Sequence, residues 1–406
     1  MRLLSYANWK QKLPFDNIVY KEVKRYSLRL NSYERAIMDA EINFYRQRFS
    51  LLQAMNHFRI LKTKLAKEIF IKAVLKRKEN ILYLPNCLVS HFKKKIKTEF
   101  ADHQAFFEIL LEQAINTKPI NPIIPVVRTI MGEYYRPIIK RVNKYSKMTP
   151  IRVVQKTLKP AAYENMARIH IQKLQEDICL SNIYGRSSIR KNVPISVVDD
   201  YGYGEWVSKN VSFATNRLFI YSNNNKLTDV GLEHMIYFNV YPGYGYFYNT
   251  VVGEGKQNIS FDNGATYLIN GWAMYAMCHS MNSAYSNSLL IESATIAKHL
   301  LNKNLEKGLE DVYIYLLGKY PKAKAIDYMI DYTQYPGKYL SFALGEFATE
   351  LVMQNDFAHN PKDYLETLST INCGDFFALY SKKMQKKIAK TNITAKVASK
   401  FAPEQN

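Results

Sequence analysis

The sequence has only four cysteines, and no two of them are close enough to form a Cys-x-x-Cys pair. A zinc ribbon or a disulfide framework is therefore not indicated, and we expect reduced, buried thiols. No segment approaches ~20 uninterrupted apolar residues, so no membrane span is predicted. Charged residues also interrupt the N-terminal stretch MRLLSYANWKQKLPF, so we expect no secretory signal and a cytoplasmic protein.

Acidic residues are scarce: 35 Asp and Glu stand against 56 Lys and Arg, a formal net charge of +21. This charge predicts attraction to nucleic acid, to anionic lipid headgroups, or to an acidic protein or substrate. The basic residues are concentrated in 64–80, 91–100 and 381–400, where apolar residues recur between them at helical spacing. That pattern is typical of solvated helix faces, and no recognition motif accompanies it, so we predict no specific binding of nucleic acid.

Hydrophobic residues make up 47% of the chain and aromatic residues 13%, as expected for a globular protein. The first hundred residues predict amphipathic helices, because apolar residues recur every four positions in two rows, Leu61–Leu65–Ile69 and Ala66–Phe70–Val74. Pro119, Pro122 and Pro125 predict a break in the helices, and Pro150 and Pro160 frame a second break. We place the main boundary there, between an N-terminal helical region, 1–150, and a second region, 151–406.

The second region predicts a helix in AAYENMARIHIQKLQEDICL and then a change of period. The short runs NVPISVVDD, NVSFA and NRLFIYS, from Asn192 onward, are β-branched or aromatic and predict strands. Thr228 or Asp229 can cap the next helix, which carries a polar Asn239 in its otherwise apolar row of Leu232, Met235, Ile236 and Val240. The fold class is therefore mainly α-helical (α+β), with a small β-sheet or hairpin.

Four stretches follow one another in an order typical of one family. They are FNVYPGYG at 238–245, NGWAMY at 270–275, DVYIYLLGKYPKAKAIDYM at 311–329 and PGKYLSFALG at 336–345. Together they resemble the family known as domain of unknown function 885, a zincin-like group related to zinc peptidases. The resemblance covers about 190–385 and implies a zincin-like helical body with the small sheet beside an active-site cleft.

In that family the first helix carries His-Glu-Ala-Tyr-Pro-Gly-His-His and the second carries Glu-Gly-Trp-Ala-Leu-Tyr. The resemblance therefore implies that the positions of the zinc ligands are occupied here by Phe238, Tyr244, Gly245 and Asn270. It places Asn239 at the general base, which an amide cannot replace as a proton acceptor at neutral pH. Further on, Tyr315 takes a histidine position, and Ser341-Phe342 replaces a Ser-Tyr pair. We expect neither metal nor cofactor.

No other histidine restores the metal site. Glu233 and His234 lie one turn upstream, but Glu-His-Met-Ile-Tyr has no second histidine four residues on. His279 stands alone on the later helix, where a structural role and a catalytic role are both open. The candidate catalytic residues are Asn239, Tyr244, Glu233, His234 and His279. The candidate substrate-binding residues are Phe238, Tyr241, Tyr246, Tyr248, Asn270, Trp272, Tyr275, Tyr315, Lys338 and Phe342.

Phenols and amides hydrogen-bond without charge, and aromatic rings give flat apolar walls. We therefore expect a cavity that binds a small-molecule or peptide-like ligand and supports a metal-independent lyase, cyclisation or condensation step. One alternative is that these side chains only fill the volume that a metal would take. Another is a pseudoenzyme whose cleft or basic faces bind an acidic protein. An active zinc peptidase with another ligand set and a nucleic-acid-binding protein remain further alternatives.

Overall fold

The computed structural model describes twelve stretches of the chain, and every structural statement below refers to them. They are 50–75, 81–117, 123–150, 157–177, 183–184, 193–198, 211–214, 217–221, 227–252, 263–281, 284–334 and 336–368. The chain divides into two compact units. Unit 1 comprises Met1–Pro122 and His299–Pro336, and unit 2 comprises Ile123–Lys298 and Gly337–Asn406.

The described residues are mainly α-helical, as predicted. The helices are α1 Leu51–Ile60, α2 Lys64–Leu75, α3 Asn86–Glu99, α4 Gln104–Asn116, α5 Ile123–Met131, α6 Tyr135–Tyr145, α7 Tyr163–Glu176, α8 Asp229–Asn239, α9 Tyr244–Phe247, α10 Asn263–Met281, α11 Ala284–Leu300, α12 Leu305–Leu317, α13 Lys322–Gln334, α14 Pro336–Asp356 and α15 Pro361–Leu368. Short 3-10 turns cover Ala101–His103, Gly132–Tyr134 and Pro160–Ala162, and a π-helical turn covers Tyr248–Val252. Within the described stretches no helix is both long enough and apolar enough to cross a bilayer.

Unit 1 has an aromatic core between α1, α2 and α4. Ser50 and Gln53 form a capping box that starts α1. Phe58 on this helix packs edge-to-face on Phe70 and Phe107, with ring centroids 5.8 and 5.3 Å away. The predicted apolar row through Leu61 is interrupted, because Leu61 caps the end of α1 and α2 starts only at Lys64.

Unit 1 also includes α12 and α13, which are distant in sequence. The amide Nδ2 of Asn86 on α3 donates to Glu306 Oε1 on α12 over 2.7 Å. Leu51 and Phe92 share a groove with Ile330 on α13. These contacts join residues more than 200 positions apart. Unit 1 therefore consists of two segments, one that ends at Pro122 and a second that contains α12 and α13. The sequence predicted a single boundary near residue 150.

The small sheet belongs to unit 2 and lies where the β-branched runs predicted it. Its strands are β1 Ile195–Val198, β2 Val211–Ala214 and β3 Arg217–Tyr221, in the order β1-β3-β2. β1 pairs parallel to β3 and β2 antiparallel to it. Leu218 and Ile220 alternate into the core along β3, as a two-residue period requires.

Local signals also place the helices of unit 2. The predicted helix after residue 160 is α7, and the hydroxyl of Thr228 caps α8 by accepting from Gly231 N over 3.1 Å. Pro125 lies inside α5, not in a break. It occupies the first turn, where a helix has no use for the missing N–H. Pro119 and Pro122 lie outside the described residues.

Two glycines set the distance between α10 and α14. A Cβ atom on Gly345 would overlap the Tyr267 carbonyl oxygen and lie 2.8 Å from Gly271 Cα. A Cβ on Gly271 would in turn overlap the backbone of Gly345. The two helices therefore touch backbone to backbone, which only glycine at both positions permits. This contact positions the candidate site, because Asn270 and Ser341 flank it.

Candidate functional site

The Tyr-Pro-Gly turn folds tightly against the end of α8. Gly243 N donates to the Tyr237 carbonyl over 3.0 Å, and a Cβ on Gly243 would overlap the Phe238 carbonyl oxygen. The indole Nε1 of Trp272 on α10 donates to the Pro242 carbonyl over 2.9 Å. The turn is therefore held to both α8 and α10, and Tyr244 starts α9 at a fixed place beside α10.

A hydrogen-bond chain links three of the elements. The Tyr244 hydroxyl donates to Asn270 Oδ1, and Asn270 Nδ2 donates to Ser341 Oγ on α14. Asn270 and Ser341 are buried, whereas Tyr244 is half-buried. Because both ends of the Asn270 amide are used, its orientation is fixed.

Four aromatic rings, including that of Tyr244, follow one another in contact at the outer end of this chain; we call them the ring cluster. Phe238 meets Tyr244 edge-to-face, with ring centroids 5.0 Å apart at 90°. Phe238 also contacts Phe342 at 5.9 Å, and Phe342 contacts Tyr339 at 6.4 Å. Phe238 is 8% exposed, and the other three side chains are half-buried. The ring cluster thus reaches the surface, and the Tyr244 phenol lies within it.

The catalytic candidates on α8 contact other protein groups. His234 is buried, and its Nδ1 donates to the Val230 carbonyl over 2.6 Å. Burial lowers the pKa of His234, against the opposing effects of this bond and of Glu233, so the ring stays neutral at pH 7. Glu233 Oε1 lies 3.6 Å from Nδ1 of the buried His170 on α7. The Asn239 Nδ2 donates back to the Met235 carbonyl over 2.8 Å, within its own helix.

The remaining aromatic candidates form a packed layer behind the site. The Tyr246 hydroxyl donates to the Tyr184 carbonyl. Trp272 stacks on Tyr364 of α15, with centroids 5.6 Å apart at 14°. Burial raises the pKa of Tyr241, which the neighbouring tyrosines raise further, so this phenol stays neutral. We assign this layer to packing, because the Tyr246 hydroxyl and the Trp272 indole bond to backbone carbonyls.

His279 and Tyr275 lie further along α10. Their rings stack with centroids 3.9 Å apart, and His279 Nδ1 hydrogen-bonds the Tyr275 carbonyl over 3.0 Å. Tyr275 is buried, whereas His279 is exposed. His279 lies nine residues after Asn270, about 13 Å along the axis at 1.5 Å per residue, which separates it from the ring cluster.

Three substrate-binding candidates have no described place in this site. The side chains of Tyr248 and Lys338 lie outside what the structure describes. Tyr315 belongs to α12 in unit 1, where the Lys319 ammonium lies 4.6 Å from its ring centroid. None of the three therefore adds a described contact to the site.

One buried acid was not among the candidates. Glu346 follows Gly345 on α14, is 2% exposed, and its Oε2 has no hydrogen-bond partner among the described residues. Burial raises the pKa of Glu346 to about 8, although the charge of Arg141 opposes the shift. The carboxyl is thus mostly protonated at pH 7. Its signal in the sequence is only a single acid flanked by Ala343, Leu344, Phe347 and Ala348.

The residues at the site do not fit a zinc ion. Phe238 has no donor atom, and the two ends of the Asn270 amide already bond Tyr244 and Ser341. Zinc is held by thiolates, imidazoles and carboxylates. Among the described residues no group of three or more such side chains has the geometry to hold a metal.

Comparison with known proteins does not assign the chain to a family. No protein-family model and no curated protein matches the sequence significantly. Among solved structures, the chain is similar to one named "putative lipoprotein" from Colwellia psychrerythraea, at 12% identity and a TM-score of 0.49. The alignment covers 96% of this chain and 78% of that chain. At this TM-score the likeness supports no inference about fold or function.

Proposed function

We propose that this protein is a metal-independent, zincin-like relative of the domain of unknown function 885 family that binds a small-molecule or peptide-like ligand at the ring cluster. The observation that carries the proposal is the hydrogen-bond chain from Tyr244 through Asn270 to Ser341, because it joins three of the stretches in which the resemblance lies. Its outer end is a half-buried phenol among aromatic rings, the type of surface that binds flat, weakly polar ligands.

Convergence in space supports the zincin-like assignment. The resemblance aligns Phe238, Tyr244 and Asn270 with zinc ligands, although they lie on α8, α9 and α10. The ring of Phe238 contacts that of Tyr244, and Tyr244 bonds Asn270. Metal ligands must share one coordination sphere, so residues that replace them should touch, as these do.

The geometry supports binding better than turnover. His234 is neutral and donates to a backbone carbonyl, and Glu233 lies beside His170. A lyase, cyclisation or condensation step needs a base within hydrogen-bond reach of the reacting group. The Tyr244 hydroxyl already donates its proton to Asn270 Oδ1, so we place ligand binding ahead of turnover.

Elemental analysis and binding measurements on the full chain test this proposal. We expect well under one zinc per chain after purification without added metal, and a small ligand retained in native mass spectrometry. Tyr244→Phe should weaken retention of this ligand, whereas Tyr320→Phe, in unit 1, should leave it unchanged. About one zinc per chain would reject the metal-independent site, and equal ligand loss in both variants would reject the ring cluster as the binding place.

A second candidate function is favoured by the surface of α3. Lys93, Lys94 and Lys97 are exposed, while Phe92 and Ile96 on the same helix are buried. Such a face attracts an acidic protein at long range. Reversing these three lysines to Glu should abolish binding of an acidic partner without changing ligand retention at the ring cluster. A pull-down at two salt concentrations measures the first effect, and the ligand assay measures the second.

A further inference from the structure

We propose that the cavity where α5 meets α6 binds a phosphate monoester, a small organic molecule that carries a phosphate group, between the guanidinium groups of Arg128 and Arg136. This cavity is separate from the ring cluster, and its ligand is not the ligand of the ring cluster. Three features of the cavity support the assignment: its volume, its two arginines and the charge of its lining.

The cavity has a volume of about 540 Å³ and is lined by Arg128, Gly132, Glu133, Tyr135 and Arg136, all in unit 2. The two arginines and Glu133 are exposed, so the cavity opens to solvent. Small-molecule sites have volumes of ~300–1,000 Å³. One water takes about 30 Å³ in the liquid, so a phosphate ion alone would leave most of this cavity empty. A ligand that fills it has an organic body beside its charged group.

The cavity is built on a turn that is held to the end of α14. Gly132 follows α5 with a left-handed backbone, φ 52°, which glycine adopts without strain. Tyr134 is buried, and its hydroxyl donates to Asp356 Oδ2 over 3.4 Å. Asp356 ends α14 and lies about 21 Å along that helix from Phe342 of the ring cluster, at 1.5 Å per residue. The turn is thus anchored at the opposite end of α14 from the ring cluster.

Neither arginine of the cavity has an acidic partner among the described residues. Arg59, Arg141 and Arg168 each form an ion pair with a glutamate. Within the described stretches, Arg128 and Arg136 form neither an ion pair nor a side-chain hydrogen bond. Their N–H groups are therefore available to an anion from solution. A guanidinium group binds two phosphate oxygens through parallel N–H···O bonds.

The charge of the lining favours a dianion. The two arginines outweigh Glu133, so the side chains of the lining have a net charge of +1. The guanidinium carbon of Arg128 lies 5.2 Å from the centroid of the Tyr135 ring, which keeps this charge at the cavity wall. The helix termini add little net charge, because α5 ends and α6 begins beside the cavity and their partial charges are opposite. A phosphate monoester carries about −1.5 to −2 charges and three acceptor oxygens at pH 7, enough for both guanidinium groups.

Four probes test the assignment: phenyl phosphate, benzoate, benzyl alcohol and inorganic phosphate. Their affinities for the full chain are measured by calorimetry at pH 7 and about 150 mM salt, where surface attraction is screened. We expect phenyl phosphate to bind about tenfold more tightly than benzoate or inorganic phosphate, and benzyl alcohol most weakly. Benzoate binding as tightly as phenyl phosphate would overturn the dianion. Inorganic phosphate binding as tightly would mean an adventitious ion only, and no binding of phenyl phosphate would overturn the site.

Three variants locate the binding place. Arg128→Gln and Arg136→Gln each remove one guanidinium group, so each should weaken phenyl phosphate about tenfold. Lys144→Gln is the matched control, because it removes an exposed positive charge from the same helix as Arg136, about 12 Å along the axis, beyond the screening length of about 8 Å. Tyr244→Phe, which tests the ring cluster, should leave phenyl phosphate unchanged. Equal weakening by Lys144→Gln would mean general attraction to a basic protein and would overturn the site.

Chemical modification tests the same arginines without a substitution. Phenylglyoxal modifies exposed arginines, and peptide mass spectrometry identifies them. Phenyl phosphate at twice its Kd should slow modification of Arg128 and Arg136 about threefold and leave the exposed Arg217 unchanged. Equal protection of Arg217 would contradict a local site. Vesicles that contain phosphatidate present the same group at a lipid surface, and binding to them alone, without binding of phenyl phosphate, would overturn the small-molecule assignment.

Discussion

The two sides of the contact between α10 and α14 differ in whether their buried polar groups form hydrogen bonds. On one side, Asn270 and Ser341 bond each other, and Tyr244 completes the chain. On the other side, the carboxyl of Glu346 is buried with Oε2 unpartnered among the described residues. A satisfied polar group costs little free energy, whereas an unsatisfied one costs ~1–3 kcal/mol or more. The comparison shows that one helix pair holds a stable neutral network and a destabilising acid within two turns.

A substitution that separates α10 from α14 would disrupt both sides of the contact. We expect it to have the largest effect on the free energy of unfolding. Gly345→Ala places a methyl group against the Tyr267 carbonyl and Gly271, where neither backbone can yield without moving a helix. We predict a loss of at least about 3 kcal/mol in the free energy of unfolding, or no folded protein. Urea titration followed by circular dichroism measures it.

The matched control for Gly345 is Gly318 at the end of α12. A Cβ there would meet nothing nearer than the Tyr315 carbonyl oxygen, at 3.5 Å. Its backbone is right-handed, with φ −68°, so Ala is tolerated. We predict a change within about 0.5 kcal/mol for Gly318→Ala. A similar loss in both variants would mean that helix contact does not explain the Gly345 result.

The second prediction concerns Glu346, the buried acid, and the pH dependence of stability that it causes. Between the ordinary pKa of 4.5 and the folded pKa of about 8, the folded chain keeps a proton on Glu346 that the unfolded chain has released. Stability therefore falls as pH rises through this window, by about 1.4 kcal/mol per pH unit from this group. Below pH 4.5 the group contributes no pH dependence, and above pH 8 the full loss is present.

Glu346→Gln should remove this contribution, so the variant gains stability over the unmodified chain as pH rises from 5.5 to 8.5. Arg141 and Tyr145 on α6, with Tyr275 and Cys278 on α10, are the ionisable groups whose electrostatic interactions with Glu346 the structure records. They hold their usual charge across this range: Arg is cationic, and burial raises the pKa of the two tyrosines and the thiol. Urea unfolding at four pH values, with the exposed Glu366→Gln as control, measures the difference in slope. Parallel slopes in all three proteins would contradict a raised pKa for Glu346.

The smallest effect lies at the far end of α14. Ala358 and His359 have left-handed backbones, with φ of 47° and 61°, and His359 N closes the helix on the Met353 carbonyl. Glycine adopts this conformation without the side-chain clash. We predict that Ala358→Gly raises the unfolding free energy by about 0.5 kcal/mol, whereas Ala105→Gly in α4 lowers it by a similar amount. Differential scanning calorimetry should show melting temperatures that move in opposite directions.

Local signals in the sequence predicted much of the fold. The β-branched runs predicted the three strands, and Thr228 predicted the start of α8. Both signals are local, because strand period and N-capping depend only on neighbouring residues. The association of α12 and α13 with the N-terminal helices was not predictable, because the Asn86–Glu306 bond joins positions 220 apart. Pro125 predicts a break only under the rule for helix interiors, which does not hold in the first turn of α5.

The candidate site was likewise only partly predictable from the sequence. The resemblance grouped Phe238, Tyr244, Asn270 and Phe342, and the structure brings these four together; their binding roles stay predictions. It gave no warning that the Asn239 amide would bond within its own helix, because the direction of a side chain depends on packing. Glu346 was missed because an acid is normally assigned to the surface, and only tertiary structure shows it buried.

The backbone contact at Gly271 and Gly345 has a consequence for redesign. Because no side chain sets the spacing of α10 and α14 there, the groups that flank the contact can be exchanged without moving the helices that carry them. Asn270 and Ser341 would therefore keep their Cα positions when their side chains are changed, whereas Phe238 and Tyr244 lie on α8 and α9, outside this contact. The helix pair is thus a place where side-chain chemistry can be varied independently of helix spacing.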